Sequence, residues 1–142
     1  MAYLFCFNKV TNEITYESAN NKPILIENVN IIELGAHKMP VEFGIRDTPF
    51  TLHTIPHKPN AKLYLCTDGY ADQFGEPKEK KFKYKQLNEL TLSHSNEQMQ
   101  TQANKIENNL TVWQGVLEQV MIFVSLVLTY NYEININFLI NR

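Results

Sequence analysis

The sequence predicts an α+β fold: an antiparallel β-sheet covered by C-terminal helices. Three observations lead there. Up to Cys66 the chain breaks into short runs rich in β-branched and aromatic residues. Asn, Pro and Gly turn signals separate those runs closely enough for hairpins. After residue 85 the pattern changes, and apolar residues recur at helical spacing. A chain of 142 residues, 44% hydrophobic and 20% charged, suits one soluble globular domain.

Taken in order, residues 2–7 form a dense apolar run expected to be a strand buried on both faces. Residues 8–12 read as a turn, and Ile14-Thr15-Tyr16-Glu17-Ser18 as the returning strand of a hairpin. A second turn, Ala19-Asn20-Asn21-Lys22-Pro23, leads to Ile24-Leu25-Ile26. Across Glu27-Asn28 follows Asn30-Ile31-Ile32-Glu33-Leu34, continuing an antiparallel meander. Residues 35–49 are loop-like, with Pro40 and Gly44 as breakers. The alternating stretch 50–56 is a strand with His53 on its polar face, and Pro56, Pro59 and Asn60 turn the chain into the next strand.

Beyond that strand, residues 75–85 are polar and basic. They read either as a solvated loop entering a helix or as a cationic patch, Lys78, Lys80, Lys81, Lys83 and Lys85, drawing in a phosphorylated partner. Leu87, Leu90 and Leu92 suit a short helix. Ser95 and Gln98 have the spacing of a capping box for the next one. Met99, Ala103, Ile106, Leu110, Trp113 and Leu117 then mark one apolar stripe on a long helix ending near Gly115.

Composition narrows the function classes. A net charge of −2 gives no electrostatic case for nucleic acid. Cys6 and Cys66 both sit in apolar runs and are expected as buried thiols of a reducing compartment. The opening residues carry no basic leader, so a cytoplasmic protein is expected. His37, His53, His57 and His94 lack metal-ligand spacing. The uncharged run at 120–130 is about 11 residues, short of the ~20 a spanning helix needs, so no membrane helix is expected. Its β-branched content suits a substitute edge strand or an aggregating segment.

The stretch with chemical content is Leu63-Tyr64-Leu65-Cys66-Thr67-Asp68-Gly69. A buried strand ends near Thr67, and Asp-Gly follows as a turn in which Gly tolerates positive φ. A carboxylate at the mouth of such a strand stands on a rigid support, where a hard cation or a general base is wanted. With Tyr70-Ala71-Asp72-Gln73-Phe74-Gly75 behind it, the string resembles the strand-Ser/Thr-Asp-Gly motif of metal-dependent PPM-type protein serine/threonine phosphatases. The likeness is to the SpoIIE-like bacterial branch, and the Ala-Asn-Asn-x-Pro turn extends it. It covers residues 1–120 and implies part of a PPM-type β-sandwich.

The resemblance implies that Asp68 ligates Mn²⁺ or Mg²⁺, that Gly69 shapes the turn aiming it, and that a phosphoprotein or regulatory protein is the partner. Asp72 is expected as a helix-start residue favoured by the dipole. Two departures stand against activity, since a two-metal phosphoesterase needs several clustered carboxylates. The family's Asp-Gly-x-Gly-His-Gly-like segment and its companion carboxylate belong to a first half with no counterpart here. At the back, Leu117-Glu118-Gln119-Val120 fits the run-up to the family's Val-Asp-Asp, but Met121-Ile122-Phe123 follows. Codons for Asp-Asp-Ile read after a one-base skip encode Met, Ile and then Phe or Leu. Residues 121–142 are therefore expected to be an out-of-frame tail, and the chain an inactive C-terminal half-domain; the alternatives are a non-catalytic protein-interaction module in bacterial signalling or a degraded gene product.

Overall fold

Between β2 (Glu13–Ala19) and β3 (Ile24–Glu27) the chain leaves one antiparallel sheet and enters another. The computed structural model describes residues 2–38, 49–76, 80–119, 123–129 and 134–139. The first sheet has the order β1-β2-β5, with β1 at Ala2–Asn8 and β5 at His53–Pro56. The second has the order β10-β9-β6-β3-β4, with β4 at Asn30–Glu33, β6 at Ala61–Cys66, β9 at Phe123–Thr129 and β10 at Ile134–Leu139. Helices α2 (Tyr84–His94) and α3 (Met99–Gln114) make a third layer, joined to β6 by the one-turn α1 (Gly69–Asp72) and a ribbon of β7 (Phe74–Gly75) and β8 (Lys80–Lys81). The α+β class expected from the pattern is the class observed. The single meander is instead two stacked sheets, because Asn20 to Pro23 turns the chain from one into the other.

The two-residue period of a strand divides the second sheet between two cores. Leu25, Leu63 and Leu65 face the first sheet and pack with Tyr16, Leu34 and Ala61, with Tyr3, Phe5, Phe7 and Ile55 closing the side. Ile24, Ile26, Tyr64 and Val127 face the helices, against Leu92 and Met99. From Leu63 on, strand β6 is thus buried on both faces, which is why Leu63 to Cys66 is a continuous apolar run rather than an alternation.

Strand β1 departs from expectation. It alternates between half-buried and exposed residues, with Leu4 67% exposed and Cys6 exposed. Only one of its faces meets a core, so its apolar run overstates its burial. Likewise His53 stacks on Tyr16 at 5.0 Å instead of facing water on a polar side.

The long helix begins three residues later than the capping box implies. Gln98 stands at the N-cap without a side-chain bond, and Ser95 closes α2, its hydroxyl donating to Leu92 O at 2.8 Å. Ile106 and Leu110 of the expected stripe are buried, Trp113 is half-buried, and Leu117 lies past the end of the helix. Gln102 is buried as well, because the Tyr64 hydroxyl donates to its Oε1 at 3.1 Å and its Nε2 donates to Glu97 O at 2.8 Å. The helix stops at Gly115, whose φ of 62° is the left-handed backbone glycine favours.

The tail supplies two strands. Strand β9 pairs with β6, Leu63 opposite Leu128 and Cys66 opposite Ser125, and β10 pairs with β9 at the sheet edge. The expected edge strand is therefore interior. Among the described residues no helix is long and apolar enough to cross a membrane.

The two thiols should report this architecture. Burial pushes the Cys66 thiol up to about 12 and leaves little thiolate at pH 8. Ellman's reagent is expected to titrate one thiol, Cys6, in native protein and two in guanidinium; two reactive thiols without denaturant would contradict the burial of β6.

Candidate metal centre

Strand β6 ends at Cys66, and its last carbonyl receives two donors from elsewhere in the fold. Asn21 Nδ2 donates to Cys66 O at 2.6 Å and the Tyr3 hydroxyl donates to it at 2.9 Å. Asn21 is held for this task. Its own carbonyl accepts from the Ser18 hydroxyl, and its Oδ1 accepts from the Lys22 N–H at 3.0 Å. Asn20 beside it serves through its backbone: at φ 67° it turns the chain, and its N–H donates to His37 O at 2.7 Å.

Asp68 follows two residues after the pinned carbonyl. It is half-buried and stands at the N-cap of α1, but its carboxylate makes no cap hydrogen bond, and its own carbonyl accepts from Asp72 N at 2.9 Å. Two phenols share its surroundings. Burial, then the nearby Asp68, Asp72 and Cys66, raises the Tyr84 phenol, while the hydrogen-bonded Asn21 side chain acts the other way. Tyr3 is also raised, by burial first and then by Cys66, Tyr84 and Asp68. Both phenols stay protonated near neutral pH, so neither adds an anionic ligand. Gly69 is buried and helical rather than left-handed. Its expected role as a positive-φ turn residue is therefore corrected: the chain passes from strand directly into α1.

Asp72 does not join Asp68. It is the acidic residue in the first turn of α1, as expected, and its carboxylate pairs with Lys81 Nζ at 2.8 Å. The histidines lie apart: His57 edges onto Phe7, His53 stacks on Tyr16, His37 accepts from Thr51 N, and His94 contacts Glu97 at 3.1 Å. Among the described residues no group of three or more His, Cys, Asp and Glu side chains could hold an ion. One free carboxylate flanked by protonated phenols does not fit a two-metal site.

The rest of the motif is structural. The Tyr70 hydroxyl donates to Ile106 O at 2.9 Å, and its ring meets Phe82 edge-on at 4.9 Å. Gln73 is fully buried; its Nε2 donates to Phe74 O and Glu118 O, each at 3.0 Å, and its carbonyl accepts from Trp113 Nε1 at 3.2 Å. Gly75 lies under the Trp113 indole, where a Cβ would collide with ring atoms. These residues fasten the end of α3 to the segment that carries Asp68. Of the basic run, Lys80, Lys81, Lys83 and Lys85 are exposed, and Lys78 lies outside the described residues.

Residues 1–116 match the profile of the family described as Stage II sporulation protein E (SpoIIE). The chain belongs to the SpoIIE family. The SiaA-PP2C domain of Pseudomonas aeruginosa superposes with a TM-score of 0.79 at 18% identity, over 89% of this chain and 50% of that one. The phosphatase domain of the cell fate determinant SpoIIE from Bacillus subtilis, in its Mn-presoaked form, gives 0.59 at 8% identity, over 90% and 55%. This SpoIIE-family chain thus spans about half the length of the solved domains it resembles. No curated protein matches it.

Tyr3, Asn21 and Tyr84 are the parts of this site that sequence reasoning missed. The Asn-Asn turn was visible, but nothing local says that its second side chain reaches a strand 45 residues on.

The two asparagines should separate on substitution. Asn21→Ala leaves the Cys66 carbonyl one donor short and should cost about 1–3 kcal/mol in urea unfolding. Asn20→Gly keeps the backbone turn and should change stability by less than about 0.5 kcal/mol. Gly75→Ala should displace the single tryptophan, seen as a shift in its emission, and destabilise by about 1–3 kcal/mol.

Proposed function

We propose that this chain is part of a metal-dependent protein serine/threonine phosphatase domain, contributes Asp68 as a ligand for Mn²⁺ or Mg²⁺, and does not hydrolyse phosphoesters by itself. The observation that carries the reading is Asp68 itself. It is a half-buried carboxylate at the mouth of the central strand, uncapped and unpaired among the described residues, within a SpoIIE-family fold. Family membership supplies the chemistry, in which metal ions neutralise phosphate charge and activate water. The inactivity follows from count: one carboxylate cannot hold two divalent ions at bridging distance, and Asp72 is committed to Lys81.

The missing ligands have two sources in this reading. One set belongs to the half of the domain that this chain does not span. The other is the closing Val-Asp-Asp, replaced here by Val120-Met121-Ile122 through a frameshift, which makes residues 121–142 an out-of-frame tail. Sequencing the locus tests that step, and a reading frame that no single-base change returns to Val-Asp-Asp would refute it. The exposed Lys80, Lys83 and Lys85, the last two flanking Tyr84 in sequence, would draw in an acidic phosphoprotein.

With p-nitrophenyl phosphate and Mn²⁺, the purified chain should release no more product than Asp68→Ala. Turnover that Asp68→Ala abolishes would mean that the chain builds a working site.

A further inference from the structure

Where the turn between the two sheets meets the helical layer, the fold leaves an open cleft of about 280 Å³. The turn contributes Asn20, Asn21 and Lys22, and α2 contributes Tyr84 and Asn88, one helical turn apart. Buried Ile24 of β3 and exposed Glu33 of β4 complete the lining. The cleft adjoins the candidate metal centre through Asn21, whose side chain also donates to Cys66 O at 2.6 Å, two residues before Asp68.

The charges of the cleft cancel. Lys22 Nζ meets Glu33 Oε2 at 3.0 Å, which leaves little net charge to hold an ion. The Tyr84 phenol, raised by burial and then by Asp68, stays protonated near neutral pH. What remains is carboxamide, a group that carries donors and an acceptor without charge. Asn88 is the least committed of the three asparagines. Its Nδ2 reaches Glu33 Oε1 only at 3.4 Å, and its Oδ1, shielded from water, accepts no hydrogen bond among the described residues. An idle, desolvated acceptor is costly, and a small turn of the side chain would let an incoming donor remove that cost.

We propose that this cleft holds the residue flanking the phosphorylated serine or threonine of a protein substrate, with Asn20 and Asn88 bonding its peptide group. Ile24 and the Tyr84 ring receive its side chain. The occupant follows from the chemistry: carboxamides match a peptide group donor to acceptor, whereas a phosphate or a divalent ion would find no uncompensated charge. The volume falls just under the ~300–1,000 Å³ of cavities that take drug-sized ligands, so it suits a single residue rather than a cofactor. This rests on the phosphatase-domain reading for the identity of the segment, but peptide binding itself needs no metal.

The probes are two pools of capped pentapeptides with all positions but the centre randomised, one with central phosphoserine and one with central alanine. In nitrogen-15 NMR spectra of the chain, both pools should shift the side-chain amide signals of Asn20 and Asn88 saturably, and inorganic phosphate should shift neither. Asn88→Leu should weaken binding of the alanine pool at least tenfold while leaving the thermal midpoint unchanged, which certifies the fold. The phosphoserine pool should also move the backbone amides of Asp68 and Gly69, because its central residue then lies at the mouth of β6. Asn20 and Asn88 signals that stay still with both pools, or move equally with inorganic phosphate, would overturn the proposal. So would an Asn88→Leu chain that binds as tightly as the wild type. Cleft signals that move while Asp68 and Gly69 do not would leave the peptide site standing and remove the phosphatase reading.

Discussion

The carbonyl of Cys66 is the anchor on the strand side of Asp68. A strand held only by its ladders can still twist at its end, and the residue two positions on would inherit that freedom. Here the terminal carbonyl accepts from Asn21 and Tyr3, one on the turn between the sheets and one on the far sheet. Two donors on one buried acceptor fix the mouth of β6 relative to both sheets at once. The carboxylate then stands on a rigid mount, with no hydrogen bond from its oxygens to cap α1.

The same logic explains why a long, specific motif surrounds a single chemical residue. Tyr70, Gln73 and Gly75 do no chemistry; they bind α3 through Ile106 and Trp113, and the segment after it through Glu118. Gln73 is a buried residue whose side-chain amide donates to Glu118 O and whose backbone carbonyl accepts from Trp113, so the helix end is set in one register against the strand.

Much of this was legible locally. The strand ending at Cys66, the helix stop at Gly115 and the hairpins β1–β2 and β3–β4 rest on short-range signals of alternation, turn residues and left-handed glycine. What could not be read depends on long-range placement. An apolar run does not say whether one face or two will be covered, and so Cys6 was expected inside. Ser95 has the same hydroxyl for ending one helix as for starting the next, and geometry chose the former. Gln102 lies off the apolar stripe and is buried by its bonds to Tyr64 and Glu97, which no local signal announces. The Asp-Gly pair signals a reversal, yet burial in the third layer drew Gly69 into a helix.

The interior position of β9 bears on how the protein is made. Strand β6 lies between β3, which precedes it, and β9, which comes off the ribosome after both long helices. Until that last segment emerges, the central strand of the nascent chain has one bare flank with a single charge, Lys62, a state prone to pair with neighbouring chains. Products cut short before residue 123 would keep that flank, so the tail acts as a seal on the sheet whatever its coding origin.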